Sequence, residues 1–543
     1  MKQNAFYKTI ISLVLAAIVL SACASPTPVT QPAAATEVVA PTEAVAATVA
    51  PAAEATVAPV AAAPDEITLW ARTGKGDVID WNTDPILGEI EKATNTNITV
   101  SHYDWGTYTD QLSAAASSND LPGIVGVVEH DKVTLLNSMA QNGVIAPFEG
   151  DVAAAAPNLM ALYEKYPILN ELKIDGKIYF VPVSWGDGTY PNMGLFHVRQ
   201  DLLDKYEMKA PNTFDEYFTY LKTCKEKGDG TGVIFSGKDS GINQVLSGFA
   251  GAYGLPTSGW VKTDKGYEYW AAQPVMKDAL LLFRQMLPYV DQASWSASGD
   301  DARAIYVSGK ACAYIFNGGG HIGRMQNDMT LVNPDFKELL LPALDAGTGK
   351  RGYTAEPMFW GVVSLGASKK DNPVAAARIV DYLISPEGYK LTSLGILDRD
   401  YTEADGKFTL NIDQRVKDGF ATAGDAGAHP SGTFASWVPQ DWQNFTLAYG
   451  KDQAYVDWFN QMWKNQGMYQ TPLSYGMVAT SPKWTDFQAT SNDLLTRSFV
   501  EAVKASDDQA ADEIFENFVQ EWLSSGGADA TAEMSAKLAE RYK

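Results

Sequence analysis

The chain has 543 residues, of which 46% are hydrophobic, and its formal net charge is −23. A surface this acidic excludes nucleic acid as the expected partner, because Lys and Arg must neutralise the phosphates. About 480 residues remain after the N-terminal segments considered next, which is more than one compact core usually holds, so at least two lobes are expected.

The N-terminus has the pattern of a lipoprotein signal. Two lysines precede an apolar run over residues 10–20, which is shorter than the about 20 residues that span a bilayer. The run ends in Leu-Ser-Ala-Cys at residues 20–23, which resembles the bacterial lipobox, whose Cys becomes acylated. Residues 1–22 are therefore predicted to be a signal peptide. Cys23 is predicted to be a lipid anchor that holds the exported protein on the outer face of the cell membrane.

Residues 23–64 are predicted to form a disordered tether. After Cys23 they are nearly all Ala, Pro, Thr and Val, with three Glu and no basic residue. Such a composition cannot bury a core. As a coil the tether spans roughly 35–40 Å, enough to lift a domain clear of a lipid surface. With residues 1–22 removed, two lysines and no acid are lost, so the charge becomes −25.

Strands and helices are predicted to alternate from residue 66 onward. Strands are expected over residues 67–70, 98–103 and 123–128, and a helix over 109–118. Asp84-Pro85 supplies an N-cap and a first-turn proline for another helix. This alternation predicts an α/β unit with a largely parallel sheet.

Cap signals mark further helices. One helix is predicted to end at Asn142-Gly143, a suitable C-cap pair. Thr213 and Glu216 stand in capping-box register at the start of another. A final helix with Phe515, Phe518 and Trp522 is expected to stop at Gly526-Gly527.

The three cysteines are too few for a fold built on disulfides. With Cys23 assigned to lipidation, Cys224 and Cys312 remain, far apart in sequence. Cys224 falls on the apolar side of a predicted helix and Cys312 in an apolar strand. Both are predicted to be plain core residues without metal-ligand spacing.

Short motifs follow one another in an informative order. They are DLPGIV at 120–125, DGKIY at 175–179 with Pro182, residues 195–203 followed by the capping box, GKACA at 309–313, SPEGY at 385–389, and GI at 395–396 with DGK at 405–407. Together they resemble the extracellular solute-binding proteins of the oligosaccharide-binding type (family 1), in particular the LipO- and LplA-like lipoproteins. The resemblance runs from about residue 66 to the C-terminus.

The resemblance implies an α/β fold of the two-lobed, periplasmic-binding-protein-like (type II) class, with ligand held in the cleft between the lobes. The N-terminal lobe is expected at 65–183 and 304–358, with residues 309–313 in a strand that returns to it, and the C-terminal lobe at 184–303 and 359–543. The implied function is capture of a carbohydrate by lobe closure and delivery to the permeases of an ABC importer. The chain is expected to be monomeric and not an enzyme, with no cofactor.

One departure from the family pattern concerns calcium. Some relatives carry an acidic loop after the capping-box helix, but residues 225–230 here read Lys-Glu-Lys-Gly-Asp-Gly. Calcium takes about six to eight oxygen ligands. The sequence therefore predicts no metal at this position.

Ligand-binding residues are expected at the carboxyl ends of strands and at the lobe crossovers, where this architecture presents side chains to the cleft. Flat aromatic rings suit sugar rings, and planar polar groups suit hydroxyls. For each position a core aromatic or a solvated charge remains the alternative. The predicted residues are Trp70, Arg72, Glu129, Trp185, Asp187, Tyr190, Trp260, Asn317 and Trp360.

A glycine motif at residues 318–323 fits the dinucleotide pattern Gly-x-Gly-x-x-Gly. That pattern requires a helix after the last glycine, whereas Asn333-Pro334 is expected to break the chain soon afterwards. The glycines are therefore interpreted as a tight turn beside the cleft.

Two other functions remain open. An exported carbohydrate enzyme would need two carboxylates roughly 5–10 Å apart, which 65 acidic residues cannot exclude. No nucleophile-elbow, zincin or P-loop pattern supports another hydrolase. Alternatively, the same fold binds a peptide or another solute, or supplies a sensor.

Overall fold

The computed structural model describes residues 63–73, 80–104, 107–130, 132–184, 190–191, 194–238, 241–316, 321–368, 370–404, 407–420, 429–437, 453–479 and 481–543. The predicted signal peptide at 1–22, Cys23 and the tether, apart from residues 63 and 64, lie outside these ranges. Within the described ranges, no helix combines the length and the hydropathy that a membrane span requires.

The strands are short, as is usual in α/β proteins. In chain order they are β1 (Asp65–Thr73), β2 (Thr96–Asp104), β3 (Ile124–Glu129), β4 (Ile145–Ala146), β5 (Phe180–Ser184), β6 (Tyr190–Pro191), β7 (Leu195–Arg199), β8 (Val233–Phe235), β9 (Trp260–Thr263), β10 (Gly266–Tyr269), β11 (Ala313–Phe316), β12 (Glu338–Leu340), β13 (Tyr353–Glu356), β14 (Phe359–Gly366), β15 (Tyr401–Ala404), β16 (Lys407–Leu410) and β17 (Gln470–Thr471).

The helices connect these strands and also form the C-terminal segment. They are α1 (Pro85–Thr94), α2 (Tyr108–Ser118), α3 (Val133–Gln141), α4 (Gly150–Ala154), α5 (Pro157–Lys165), α6 (Gln200–Lys205), α7 (Phe214–Lys227), α8 (Gly241–Val245), α9 (Ser247–Gly251), α10 (Met276–Met286), α11 (Gly299–Val307), α12 (His321–Val332), α13 (Pro373–Leu383), α14 (Pro386–Leu394), α15 (Ile412–Lys417), α16 (Gln453–Gly467), α17 (Pro482–Lys504), α18 (Asp508–Trp522) and α19 (Ala528–Arg541).

The first sheet has the strand order β2–β1–β3–β14–β4, and β5 also pairs with β14. β1 runs parallel to β2 and β3, whereas β14 is antiparallel to β3, β4 and β5. The predicted parallel arrangement is therefore correct for β1 to β3 only. We call this sheet and the core packed on it the first lobe.

The second sheet has the order β12–β7–β11–β8. β11 is antiparallel to β7 and parallel to β8, and β12 is antiparallel to β7. A separate core packs on this sheet and includes residues of α7, α10 and the C-terminal helices. We call it the second lobe.

Short strands lie where the chain passes between the two sheets. β5 ends at Ser184 in the first sheet, and β7 begins at Leu195 in the second. On the return, β13 ends at Glu356 and β14 begins at Phe359. Between these points, β6 pairs with β13, which in turn pairs with β17. The predicted first and second crossovers therefore fall at these two points.

The predicted division of the lobes is wrong for several elements after residue 303. Residues 304–358 were assigned to the N-terminal lobe, but β11 and β12 pair with β7 in the second sheet. Residues 359–543 were assigned to the C-terminal lobe, but β14 joins the first sheet and α13 packs in the first core. The chain crosses back at 356–359 and not at 303–304, because the motif at 309–313 leads into β11 and does not return to the first lobe.

The chain passes from the first lobe to the second again after β14, since Trp437 lies in the first core and Phe459 in the second.

The local cap predictions are confirmed. The Asp84 side chain accepts hydrogen bonds from the backbone N–H groups of Ile86 and Leu87 at the start of α1. Thr213 and Glu216 form a reciprocal capping box at the start of α7. Each cap satisfies backbone donors that have no partner within the helix.

The C-terminal prediction is correct in part. α18 buries Phe515, Phe518 and Trp522 as expected. Gly526, with φ of 133°, bends the chain but does not end the helical segment, because α19 follows directly. α12 begins at His321, within the glycine motif, and ends after 12 residues directly before Asn333, so the break predicted at Asn333-Pro334 is confirmed. The glycines at 318–320 lie outside the described residues.

Cys224 and Cys312 are joined by a disulfide, so the prediction that both are plain core residues is wrong. Cys224 is buried on α7, and Cys312 is buried immediately before β11. The bond links residues that are 88 positions apart in the sequence. It ties a helix of the second lobe to the sheet on which that helix packs.

Candidate ligand-binding site

Four predicted site residues come together at one edge of the first sheet. Trp70 and Arg72 are two residues apart on β1, so their side chains share one face of the strand. The Arg72 side chain reaches Glu129 at the end of β3. In the sheet Glu129 stands opposite Gly361, the neighbour of Trp360 at the start of β14. Parallel strands end at a common edge, and α/β sheets bind ligands there. This edge adjoins the crossover from β13 to β14.

Arg72 is held by an ion pair and an aromatic ring. Its side chain is 6% exposed, and its Nη1 lies 2.7 Å from Oε1 of Glu129. Its guanidinium carbon lies 5.5 Å from the centre of the Tyr108 ring. A buried cation requires such compensation, because removal from water is costly. The pair therefore fixes the positions of both charged groups.

Glu129 remains ionised in this setting. Burial acts to raise the pKa of its carboxyl, but the hydrogen bond and the charge of Arg72 act in the opposite direction, and the net effect is a lowered pKa. The site consequently offers guanidinium donors beside carboxylate acceptors. Such a pair can donate a hydrogen bond to the oxygen of a sugar hydroxyl and accept one from its hydrogen.

Aromatic rings flank the ion pair. Half-buried Trp70 packs on Tyr103, with ring centres 4.5 Å apart. Tyr103 contacts Tyr108 at 6.0 Å, and the Tyr108 hydroxyl donates to the backbone oxygen of Gly126 at 3.0 Å. Partly exposed rings provide the flat apolar faces that stack against sugar rings.

Tyr103 and Tyr108 were missed by the sequence analysis. Tyr103 lies beside Arg72 in the register of β1 and β2. The strand-end rule that selected Trp70 and Arg72 applies equally to β2, and it would have found Tyr103. Tyr108 opens α2, and no local signal separates it from a core tyrosine.

His130 ties β3 to β14 at the same edge. Its backbone N–H donates to the carbonyl oxygen of Trp360 at 3.3 Å, and its Nδ1 lies 3.0 Å from that oxygen. A carbonyl oxygen only accepts, so Nδ1 carries the proton. The imidazole also meets the ring of Phe359 edge to face at 5.6 Å. These contacts fix the backbone of Trp360 at the strand end that carries Glu129, and the Trp360 side chain is half-buried.

Trp260 does not belong to this group. It is 2% exposed and packs against Tyr269 and Trp484 in the core of the second lobe, with ring centres 5.5 and 5.2 Å away. The alternative of a core aromatic therefore holds for Trp260, and its assignment to the ligand site is withdrawn.

The remaining predicted positions are not tested. Tyr190 lies in β6 with its backbone opposite Glu356, and only its backbone is described. Trp185, Asp187 and Asn317 lie outside the described residues, as does Cys23.

The loop considered for calcium is engaged in other contacts. Gly228 caps α7 in the left-handed conformation, and Asp229 accepts from Lys205 at 2.5 Å and from Tyr206 at 2.6 Å. In the described part of the chain, no group of three or more His, Cys, Asp or Glu side chains could hold a metal ion.

An Asp–His–Ser chain lies elsewhere in the first lobe. Oδ2 of Asp84 lies 3.2 Å from Nε2 of His429, and Nδ1 of His429 lies 2.7 Å from the Ser431 hydroxyl. The order is that of a hydrolase triad. However, His429 and Ser431 are fully buried, and His429 caps the short 3₁₀ turn Pro430–Thr433 while Asp84 caps α1. The chain therefore has a structural role in joining these two segments.

Two surface hollows of the described part lie away from the strand edge. One, of about 480 Å³, lies on α17 and α18. The other, of about 740 Å³, lies between residues 170–176 of the first lobe and α19 of the second. Neither includes a predicted site residue. Both are open and poor in aromatic rings, so we place the candidate site at the strand edge.

Comparison with known proteins identifies the family. The sequence profile of the bacterial extracellular solute-binding proteins matches residues 86–397, which is more than half of the chain. The chain therefore belongs to this family, and the predicted resemblance is confirmed.

Two known proteins are similar to this chain in sequence. The polygalacturonan/rhamnogalacturonan-binding protein YtcQ of Bacillus subtilis (strain 168) is 24% identical over 351 residues, which are 62% of this chain and 67% of YtcQ. Lipoprotein LipO of the same organism is 23% identical over 358 residues, 60% of this chain and 65% of LipO. The match thus spans about two thirds of each relative's length.

A solved structure extends the likeness to nearly the whole fold. The alginate-binding protein AlgQ2, in its form without calcium ion, superposes with a TM-score of 0.68 at 17% identity, and the match covers 87% of this chain and 98% of AlgQ2. This similarity confirms the predicted two-lobed α/β class.

Proposed function

We propose that this chain captures a carbohydrate, most simply an oligosaccharide, between its two lobes. The observation that supports this most directly is the group formed by Trp70, Arg72, Glu129 and Trp360, which combines aromatic faces with an ordered donor–acceptor pair beside a lobe crossover. Sugar sites require both elements. The names of YtcQ and AlgQ2 support the same ligand class.

The capture subunit of an ABC importer is the cellular role we propose. A monomer anchored outside the cell through Cys23, with residues 23–64 as the tether, would deliver ligand to membrane permeases. Membership in the extracellular family supports export, and the name of the lipoprotein LipO supports the anchor. Closure on the ligand is favoured only as far as the closed form binds it better.

We further propose that the protein is a binder without catalytic activity. The Asp84–His429–Ser431 chain has the order of a hydrolase triad, but its serine is buried. A nucleophile needs a path for substrate. Chromatography of oligosaccharides after incubation with pure protein tests this point, because unchanged sugars are expected and new fragments would contradict it.

A thermal-shift screen of purified protein with mono- and oligosaccharides tests the binding function. We expect a raised melting temperature with at least one glycan, because a ligand that binds only the folded state stabilises it. In Trp70→Ala or Trp360→Ala, we expect affinity for that glycan to fall about tenfold or more.

The control is Tyr382→Ala. Tyr382 is also a half-buried aromatic residue of the first lobe, but it lies on α13, away from the strand edge. Its replacement should leave affinity unchanged. Normal affinity in both tryptophan variants would move the site elsewhere, and no shift with any glycan would contradict carbohydrate binding itself.

A further inference from the structure

The charge of Arg72 is compensated within the site. Its guanidinium is almost fully buried against Tyr108, and its ion-pair partner is Glu129 at 2.7 Å. The Glu129 side chain is 30% exposed, but its Oε1 faces Arg72 and its Oε2 is buried. A ligand group directed at Arg72 would therefore lie beside the Glu129 carboxylate.

Nearby charges keep this carboxylate ionised. The pKa of Glu129 is lowered because the hydrogen bond and charge of Arg72 outweigh burial, and Lys132 acts in the same direction. Lys132 is exposed, so solvent and salt screen its charge. Arg72 and Glu129 together carry no net charge at neutral pH.

We infer that this site selects uncharged oligosaccharides and rejects acidic ones, and that Glu129 is the residue that sets this specificity. The inference rests on the proposed carbohydrate-binding function. A neutral hydroxyl can donate to Glu129 and accept from Arg72 at the same time. A uronate carboxylate directed at Arg72 would lie next to a second carboxylate in a partly buried site, where like charges repel strongly.

This specificity differs from what the names of two similar proteins suggest. Polygalacturonan and alginate, for which YtcQ and AlgQ2 are named, carry a carboxylate on each uronate unit. If a site for uronates were present here, Arg72 would be expected to present its charge to the ligand. Its pairing with Glu129 leaves that charge already neutralised.

The test compares glycans that differ only in charge. Oligouronates of several linkages are prepared in parallel with the same oligosaccharides after reduction of each carboxyl to a hydroxymethyl group. Titration calorimetry with the full protein gives a dissociation constant for each member. We expect wild-type protein to bind at least one reduced, neutral member, and to bind its acidic counterpart about tenfold more weakly or worse.

The variant Glu129→Gln removes the negative charge but retains the shape of the side chain. We expect it to narrow or reverse the preference, because the charge of Arg72 then becomes available to a uronate. The matched control is Glu521→Gln, which removes one negative charge from an exposed pair with Arg497 on the second lobe. Its ratio of neutral to acidic affinity should equal that of wild type.

Each outcome bears on the inference. Tighter binding of the acidic members by wild type would overturn it while leaving carbohydrate binding intact. An unchanged ratio in folded Glu129→Gln, as judged by circular dichroism, would also overturn it. Binding of no member of either series would overturn the proposed function, and the inference with it. The comparison of acidic and neutral glycans with wild-type protein tests the inference even if Glu129→Gln does not fold.

Discussion

Arg541 of the second lobe reaches Glu171 of the first. Its Nη1 lies 3.7 Å from Oε2 of Glu171, and its Nη2 donates to the backbone oxygen of Asn170. Glu171 is 4% exposed. Burial raises the pKa of Glu171, and the charge of Arg541 opposes that rise. The pair therefore joins α19 to the first lobe beside the 740 Å³ hollow.

Arg541→Met is expected to destabilise the protein more at neutral than at acid pH. The folded pKa of Glu171 lies above its unfolded value, so ionisation of Glu171 as pH rises costs stability, and the cost grows without the arginine. We predict a loss of about 1–3 kcal/mol in free energy of unfolding at about pH 7.5 and a smaller loss at about pH 4. Urea titrations of wild type and variant at the two pH values measure this difference in free energy of unfolding.

The control for this prediction is Arg497→Met. It breaks an exposed pair with Glu521 at 3.1 Å, and exposed pairs contribute little. An equal loss for Arg541→Met at both pH values would show that the Glu171 carboxylate is not the group involved.

The disulfide between Cys224 and Cys312 is expected to stabilise the second lobe. Replacement of both by Ala should lower the free energy of unfolding by about 2–4 kcal/mol, because the bond restricts the unfolded chain. The two single variants should lose about as much as the double variant, since either one breaks the same bond. In protein with Cys23→Ser, a thiol assay under denaturing, non-reducing conditions should find no free thiol. Two free thiols per chain would contradict the pairing.

Asp400 gives a pH dependence of the opposite kind from that of an ordinary surface carboxylate. It is buried, its Oδ2 accepts from the N–H of Ile396 at 2.7 Å, and burial together with neighbouring Asp418 raises its pKa to about 6. The folded state thus binds the proton more tightly than the unfolded state. Stability should therefore fall as pH rises from about 4 to about 6.

Asp400→Asn should remove the decrease in stability that accompanies ionisation of Asp400. Relative to wild type, the variant should gain stability as pH rises through the same window, as measured by melting temperature at several pH values. The pKa of Asp418 is lowered, with the ion pair to Arg399 opposing burial, so it acts below this window. The control Asp413→Asn replaces an exposed acid on α15. A constant difference between Asp400→Asn and wild type across the window would refute the assignment.

Gly126 and Gly88 should respond in opposite ways to the same substitution. A Cβ at Gly126 would lie 2.1 Å from the carbonyl oxygen of Trp70, so Gly126→Ala must displace β1 at the candidate site. We expect the free energy of unfolding to fall by about 1–3 kcal/mol and glycan binding to weaken.

A Cβ at Gly88, within α1, meets nothing within 4 Å. There Ala should stabilise the helix by about 0.5–1 kcal/mol. Chemical denaturation of both variants decides, and equal stabilities would be inconsistent with the close approach of β1 and β3.

The predictions that succeeded depend on neighbours in the sequence. The caps at Asp84 and Thr213 join groups two or three residues apart, so the sequence alone contains both partners. The strand-end rule also placed Trp70, Arg72 and Glu129 together, because it needs only the ends of β1 and β3.

The predictions that failed depend on distant partners. β11 could have joined either sheet, and its place beside β7 is decided by residues more than a hundred positions away. Trp260 has the residue type expected of both a cleft and a core, and only packing against Trp484 distinguishes them. The disulfide partner of Cys224 likewise lies 88 residues on, with no spacing rule to indicate it.

A crystal structure of the protein with the best glycan from the thermal screen tests the central claim most directly. We predict a sugar ring stacked on Trp70 or Trp360, with hydroxyls bonded to Glu129 and residues of both lobes around it. A glycan bound in either surface hollow, or on one lobe without contact to the strand edge, would contradict the account.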